Sequence, residues 1–181
     1  MRAMRKLGGL LLLCGALAAC ALPAPPDPVL SPDNAVVFGH VVAPEEITKI
    51  EFREYGKFYL PPFKIPPRVL VFKNGDFMVE NIKPGKYYIA AVYSRFKDYT
   101  FVKDNRTAYQ NMIHVQPGEV KFAGSFVIHE LDDDVSRFRR NVILRKVRKP
   151  AERDVLRNLY EFTQGTGWQA RIDRRLKELR M

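Results

Sequence analysis

The chain is short of the residues that do covalent and metal chemistry: its 181 residues include two cysteines, three histidines and one tryptophan. Both cysteines, Cys14 and Cys20, lie at the start, so nothing after position 20 can form a disulfide, supply a thiolate nucleophile or hold zinc through sulfur. His40, His114 and His129 each fall inside a strand-like pattern with no second ligand two residues away, which leaves a metal site without a local donor set. The acidic triplet Asp132, Asp133 and Asp134 lacks the spaced oxygens and turn glycine of a calcium loop and reads as a solvated turn. There is no phosphate-binding Gly-rich loop ending in Lys-Ser or Lys-Thr, no Gly-x-Ser-x-Gly elbow and no His-Glu-x-x-His helix. No catalytic residue, metal site or cofactor is therefore expected. Long apolar runs are also scarce: the one at residues 7–19 is too short to cross a bilayer as a mature helix.

That run is informative for what surrounds it. Arg2, Arg5 and Lys6 precede it and small residues lead out of it into Cys20, which together describe a secretory leader. Leu17-Ala18-Ala19-Cys20 is similar to the bacterial lipobox, and the resemblance implies cleavage before Cys20, acylation of its thiol and anchorage by acyl chains. Each buried methylene adds about 0.8 kcal/mol, so several chains hold a protein on a membrane without a spanning helix. The same resemblance implies sorting to the outer membrane, because Ala21 and not Asp follows Cys20. Residues 21–34 hold Pro23, Pro25, Pro26, Pro28 and Pro32 and read as a tether, reaching about 40 Å at full stretch.

Eight strand patterns follow, at residues 35–42, 48–55, 68–73, 77–81, 86–93, 107–115, 120–130 and 137–147. Turn chemistry separates them, including Asn74-Gly75, Pro84-Gly85 and Pro117-Gly118. The most patterned stretch, 74–93, reads as a β-hairpin turning at Pro84-Gly85, with a positive φ expected at Gly85. Eight such strands predict an antiparallel two-sheet β-sandwich over 35–148. Phe77-x-Val79-x-Asn81-Ile82-x-Pro84-Gly85-Lys86-Tyr87-Tyr88, the Gly-bearing strand before it and the second turn at 115–128 resemble carboxypeptidase-regulatory-like, transthyretin-like modules. The resemblance covers about residues 36–147 and implies a sandwich fold; such modules share no catalytic residues that could be carried over.

Two segments are aromatic without being strand-like. Residues 56–68 place Phe58, Tyr59, Phe63 and Ile65 among four prolines, which suits a lid over the core or an exposed aromatic surface for a glycan or protein. Residues 94–106 mix charges with Phe96, Tyr99 and Phe101; with Tyr93 and Tyr109 these favour cross-strand packing over a stacking platform.

Charge is concentrated at the end. Residues 137–181 carry fourteen Lys or Arg against five Asp or Glu, net +9, whereas 20–136 carry thirteen against fifteen, net −2. Past Pro150, Val155, Leu156, Leu159, Tyr160 and Phe162 form one helical stripe that Gly165 ends. Thr166-Gly-Trp-Gln169 offers a capping box for a second helix with Trp168, Ile172, Leu176 and Leu179 on one side. The stripes should pack as a helical hairpin or on a sheet face, and Arg171, Arg174, Arg175 and Lys177 are the candidate contacts to an anionic partner. The divisions expected are leader 1–19, acylated Cys20 with tether to 34, β domain 35–148 and basic helices 149–181. The function expected is non-catalytic: an outer-membrane lipoprotein that binds or scaffolds another envelope protein, anionic glycan or lipid. Nucleic acid is not an expected partner for a secreted protein; an accessory subunit or cryptic hydrolase of the envelope is the other class.

Overall fold

A computed structural model describes residues 28–57, 67–101, 111–130 and 139–180. The protein is mainly β with two C-terminal helices. The strands are β1 (Ala35–Val42), β2 (Ile47–Glu54), β3 (Val69–Val71), β4 (Asp76–Ile82), β5 (Gly85–Ser94), β6 (Asp98–Phe101), β7 (Ile113–Val115), β8 (Val120–Glu130) and β9 (Arg139–Val147). The helices are α1 (Glu152–Phe162) and α2 (Gln169–Glu178). The ladder runs β2-β5-β6-β9-β8-β1-β4-β3, with β7 also on β5, and its two ends, β2 and β3, approach one another.

Side-chain alternation explains why the ladder becomes layers. β1 is the apolar run Ala-Val-Val-Phe-Gly-His-Val-Val, buried on both faces. Ala35, Val37 and Val41 face a core shared with Ile50 and Phe52 of β2, Tyr87, Ile89 and Val92 of β5, and Phe126 and Ile128 of β8. Val36 and Phe38 face the other way, with Leu70 and Met78, onto Val155, Leu156, Leu159, Trp168 and Ile172 of the helical segment. A strand with helices on one side and another β layer on the other has no solvent face, which is why its sequence does not alternate with polar residues.

The antiparallel expectation fails at two places: β1 pairs with β8, and β6 with β9, in parallel. Both pairs join strands far apart in sequence, where the intervening chain is long enough for a crossover. The expected 74–93 hairpin is also absent. β4 already has β1 and β3 on its two edges, while β5 pairs with β2, β6 and β7, so the Pro84 connection carries the chain between layers. The second turn, within 115–128, likewise joins strands that do not pair with each other, since β7 lies on β5 and β8 on β1 and β9. The hairpin sits one turn earlier, joining β3 to β4 at Asn74-Gly75, where Gly75 has φ 86° and an added Cβ would collide with the Val41 carbonyl oxygen.

Positive φ falls on Asn81 (53°), not Gly85, and coincides with a register shift between β1 and β4. The extra residue turns Ile82 inward beside Val79, although alternation alone would point it outward with Met78. A second shift, where Glu51 faces Ala91 and Phe52 faces Ile89, brings Val92 inward in the same way. β6 lies inside the segment expected to be a loop, and Tyr99 on it is fully buried. Of the pattern at 107–115 the described strand is Ile113–Val115; residues 107–110 and 137–138 lie outside the described residues.

Both helical stripes dock on the sheet, so the helices form a third layer. At the start of α1, Asp154 accepts from the Ala151 N–H at 3.3 Å, as an acidic residue near a helix N-terminus should. The expected capping box of α2 is displaced: Thr166 Oγ1 accepts from Trp168 N–H, and Gln169 Oε1 reaches back to Gly165 N–H at 2.9 Å instead of Thr166.

Candidate functional site

The helical layer is fastened by buried polar groups. Asp76, 1% exposed, opens β4; its Oδ1 lies 2.8 Å from His40 Nδ1, and its Oδ2 accepts from Asn74 Nδ2 at 2.6 Å and Asn158 Nδ2 at 2.9 Å. Asn158 belongs to α1, so one carboxylate joins β1, β4, the β3–β4 turn and the helix. Beyond His40 on the next strand stands Ser125, whose Oγ donates to the Pro150 carbonyl at 2.6 Å, just before α1. Asp76, His40 and Ser125 thus lie side by side on three adjacent strands. They are the residue types of a nucleophilic triad without its geometry, because the one hydroxyl proton of Ser125 is committed to a carbonyl and the residue is 1% exposed.

The segment before β1 is also held. Asn81 Oδ1 accepts from Leu30 N–H at 2.9 Å while its Nδ2 donates to the Pro28 carbonyl at 3.0 Å. Arg171 Nη1 donates to the Asn34 carbonyl at 2.6 Å and Nη2 to that of Pro32 at 3.1 Å, while the guanidinium stands 5.3 Å from the centre of the Trp168 ring. Gly118 N–H donates to the Asp33 carbonyl. The tether expected to run free to residue 34 is therefore packed from Pro28 onward.

These contacts leave a cleft of about 550 Å³ between α2 and the turns at Pro32 and 117–119. Arg171, Arg174 and Arg175 line it with Glu119 and Glu178. Both carboxylates are engaged: Glu178 with Arg175 at 2.9 Å, Glu119 with Lys121 at 3.1 Å. Arg175 also reaches Glu152 at 2.8 Å, and its bonds to Glu152 and then Glu178 hold its guanidinium protonated above the usual arginine range.

The four cations singled out from sequence are thus unequal. Lys177 pairs with Asp173 one turn back, at 2.7 Å, and Arg175 is doubly paired. Among the described residues Arg171 and Arg174 face no carboxylate within ion-pair distance. The aromatic candidates Phe58, Tyr59 and Phe63, with Cys20, Tyr109 and Asp132 to Asp134, lie outside the described residues. His114 and His129 are exposed, and no group of three metal-ligating side chains occurs among the described residues. No described helix is long and apolar enough to cross a membrane.

Sequence reading missed Asn81, Asp76 and Asn158. The signal for Asn81 was its type: asparagine tolerates the left-handed region and carries a donor and an acceptor on one amide. Asp76 and Asn158 are 82 positions apart and gave none. No family model, curated protein or solved structure matches the chain.

Proposed function

We propose that this is an envelope lipoprotein, acylated at Cys20 and carried to the outer membrane. Its folded part acts as a non-catalytic binding or scaffolding module for another envelope component. The observation that carries this reading is Leu17-Ala18-Ala19-Cys20 behind a basic and apolar leader. We also read the two β layers as a sandwich of the transthyretin-like kind, supported by the single core between the layers. Among the described residues the two faces of β1 and the helical stripes are consumed by the core and the helical layer, and the charged outer face of α2 is the surface this reading assigns to contact with an envelope protein or an anionic glycan or lipid. Intact mass of the mature protein tests the anchor: acyl increments on a chain beginning at Cys20 are expected, and an unmodified thiol overturns it. Crosslinking in native envelopes followed by affinity capture tests the binding role, which requires a reproducible partner.

The other class, an accessory subunit or cryptic hydrolase of the envelope, finds the residue types of a triad in Asp76, His40 and Ser125 but not its geometry, since the Ser125 hydroxyl is buried and donates to the Pro150 carbonyl. Fluorophosphonate labelling decides between them. Labelling lost in Ser125→Ala would establish the hydrolase, and no labelling in envelopes is expected.

A further inference from the structure

We propose that the cleft beside α2 is a phosphate site, with Arg171 and Arg174 as the anion's partners. The two guanidinium groups stand three residues apart on one helix, hence on one face, and both line the same cleft. Arg171 spends two N–H donors on carbonyl oxygens, which fixes its plane without cancelling its charge. Arg174 is exposed, and among the described residues it has no ion-pair partner. Of the lining groups, Glu119 is paired with Lys121 and Glu178 with Arg175, which also holds Glu152, so the cations left for an anion are Arg171 and Arg174. A phosphate offers several acceptor oxygens to planar, fork-shaped donors, and such charge-assisted bonds are about twice as strong as neutral ones.

The cleft's wall points to where the phosphate comes from. Pro32 belongs to the segment that leads back to Cys20, and Asn81 fastens that segment at Pro28. The eight residue-to-residue steps from Cys20 to Pro28 span at most about 28 Å, so an acylated Cys20 would keep this side of the protein near the headgroups. The phosphate chemistry stands on the cleft alone; its assignment to a lipid headgroup over free phosphate rests on the lipoprotein reading above.

Trp168 is the single tryptophan and lies under the Arg171 guanidinium, so its fluorescence reports on the site. The full-length protein in non-ionic detergent would be titrated with inorganic phosphate, and separately placed in micelles doped with phosphatidylglycerol or phosphatidylcholine. A saturable change with phosphatidylglycerol, weakened by added salt and by about tenfold or more in Arg174→Gln, is expected. Arg157→Gln, an exposed cation on α1 away from the cleft, should shift it less than about twofold. Response to inorganic phosphate alone would uphold the chemistry and overturn the headgroup assignment. No response to either, or one unchanged in Arg174→Gln, would overturn the site. Because the readout does not depend on acylation, an unmodified Cys20 in the mass measurement would remove the anchor and leave this result standing.

Discussion

His40 Nδ1 lies 2.8 Å from Asp76 Oδ1 in a pair whose side chains are 12% and 2% exposed, and the other oxygen of the carboxylate is filled by two side-chain amides. A buried carboxylate persists when its lone pairs are satisfied, and each partner removed exposes part of its desolvation cost. Asn158→Ala should therefore destabilise the protein by about 1–2 kcal/mol, less than removal of a sole partner because Asn74 and His40 remain. Asn158→Asp should cost more, since it sets a second carboxylate against Asp76. Urea denaturation checks both; equal stabilities for the two variants would show that the amide does not serve the carboxylate.

The helical layer contributes to the same folding unit as the sheet. Trp168 and Leu156 are fully buried against Phe38 and Met78 of β1 and β4. Trp168→Ala should cost about 3–5 kcal/mol and Leu156→Ala about 2–5 kcal/mol. Each variant should melt in one transition at lower temperature, followed by circular dichroism at helix-sensitive and strand-sensitive wavelengths. Two separated transitions would mean that the helices are an appendage after all.

How much of this was readable in advance follows from the range of each interaction. β1 and β8 were placed to the residue because stretches rich in β-branched and aromatic residues, bounded by turn residues, are local signals. Strand partners were not: Phe38 faces Phe122 in a parallel pair, and no local pattern distinguishes that from an antiparallel neighbour. β6 was missed because four residues carry too short an alternation to count. At the cleft the helix face was legible from periodicity. Which cations were already spent was not, since Glu152 meets Arg175 from another helix, 23 positions away.

Tyr93 gives a pH dependence with a definite sign. Its ring is partly buried and its hydroxyl donates to Glu51 Oε2 at 2.9 Å; burial first, and then the bond to Glu51, push the phenol above its usual value of 10.0. The native state thus keeps a proton that the unfolded chain gives up near pH 10, so this contribution is fully present below about pH 10 and is lost as pH rises through the native value. Urea midpoints followed from neutral to strongly alkaline pH should fall less steeply in Tyr93→Phe than in the wild type over that alkaline window. Parallel curves would show that the phenol and Glu51 are not linked.

Asn81 combines two roles that two substitutions separate. Its backbone occupies the left-handed region at φ 53°, where the register of β4 shifts, and its side chain clamps Leu30 and Pro28. Asn81→Gly keeps the backbone conformation accessible and deletes the clamp; Asn81→Ala deletes the clamp and adds the left-handed cost of about 1–2 kcal/mol. Both should therefore make the chain near residues 28–34 more open to limited proteolysis, to a similar degree. Only Asn81→Ala should carry the further loss in global stability. If neither variant changes cleavage near Pro28, the packing of this segment is held by Arg171 and the Gly118 amide without help from Asn81. The same digestion on Arg171→Gln should then show the increase that the Asn81 variants lack, because that substitution removes the donors to the Asn34 and Pro32 carbonyls.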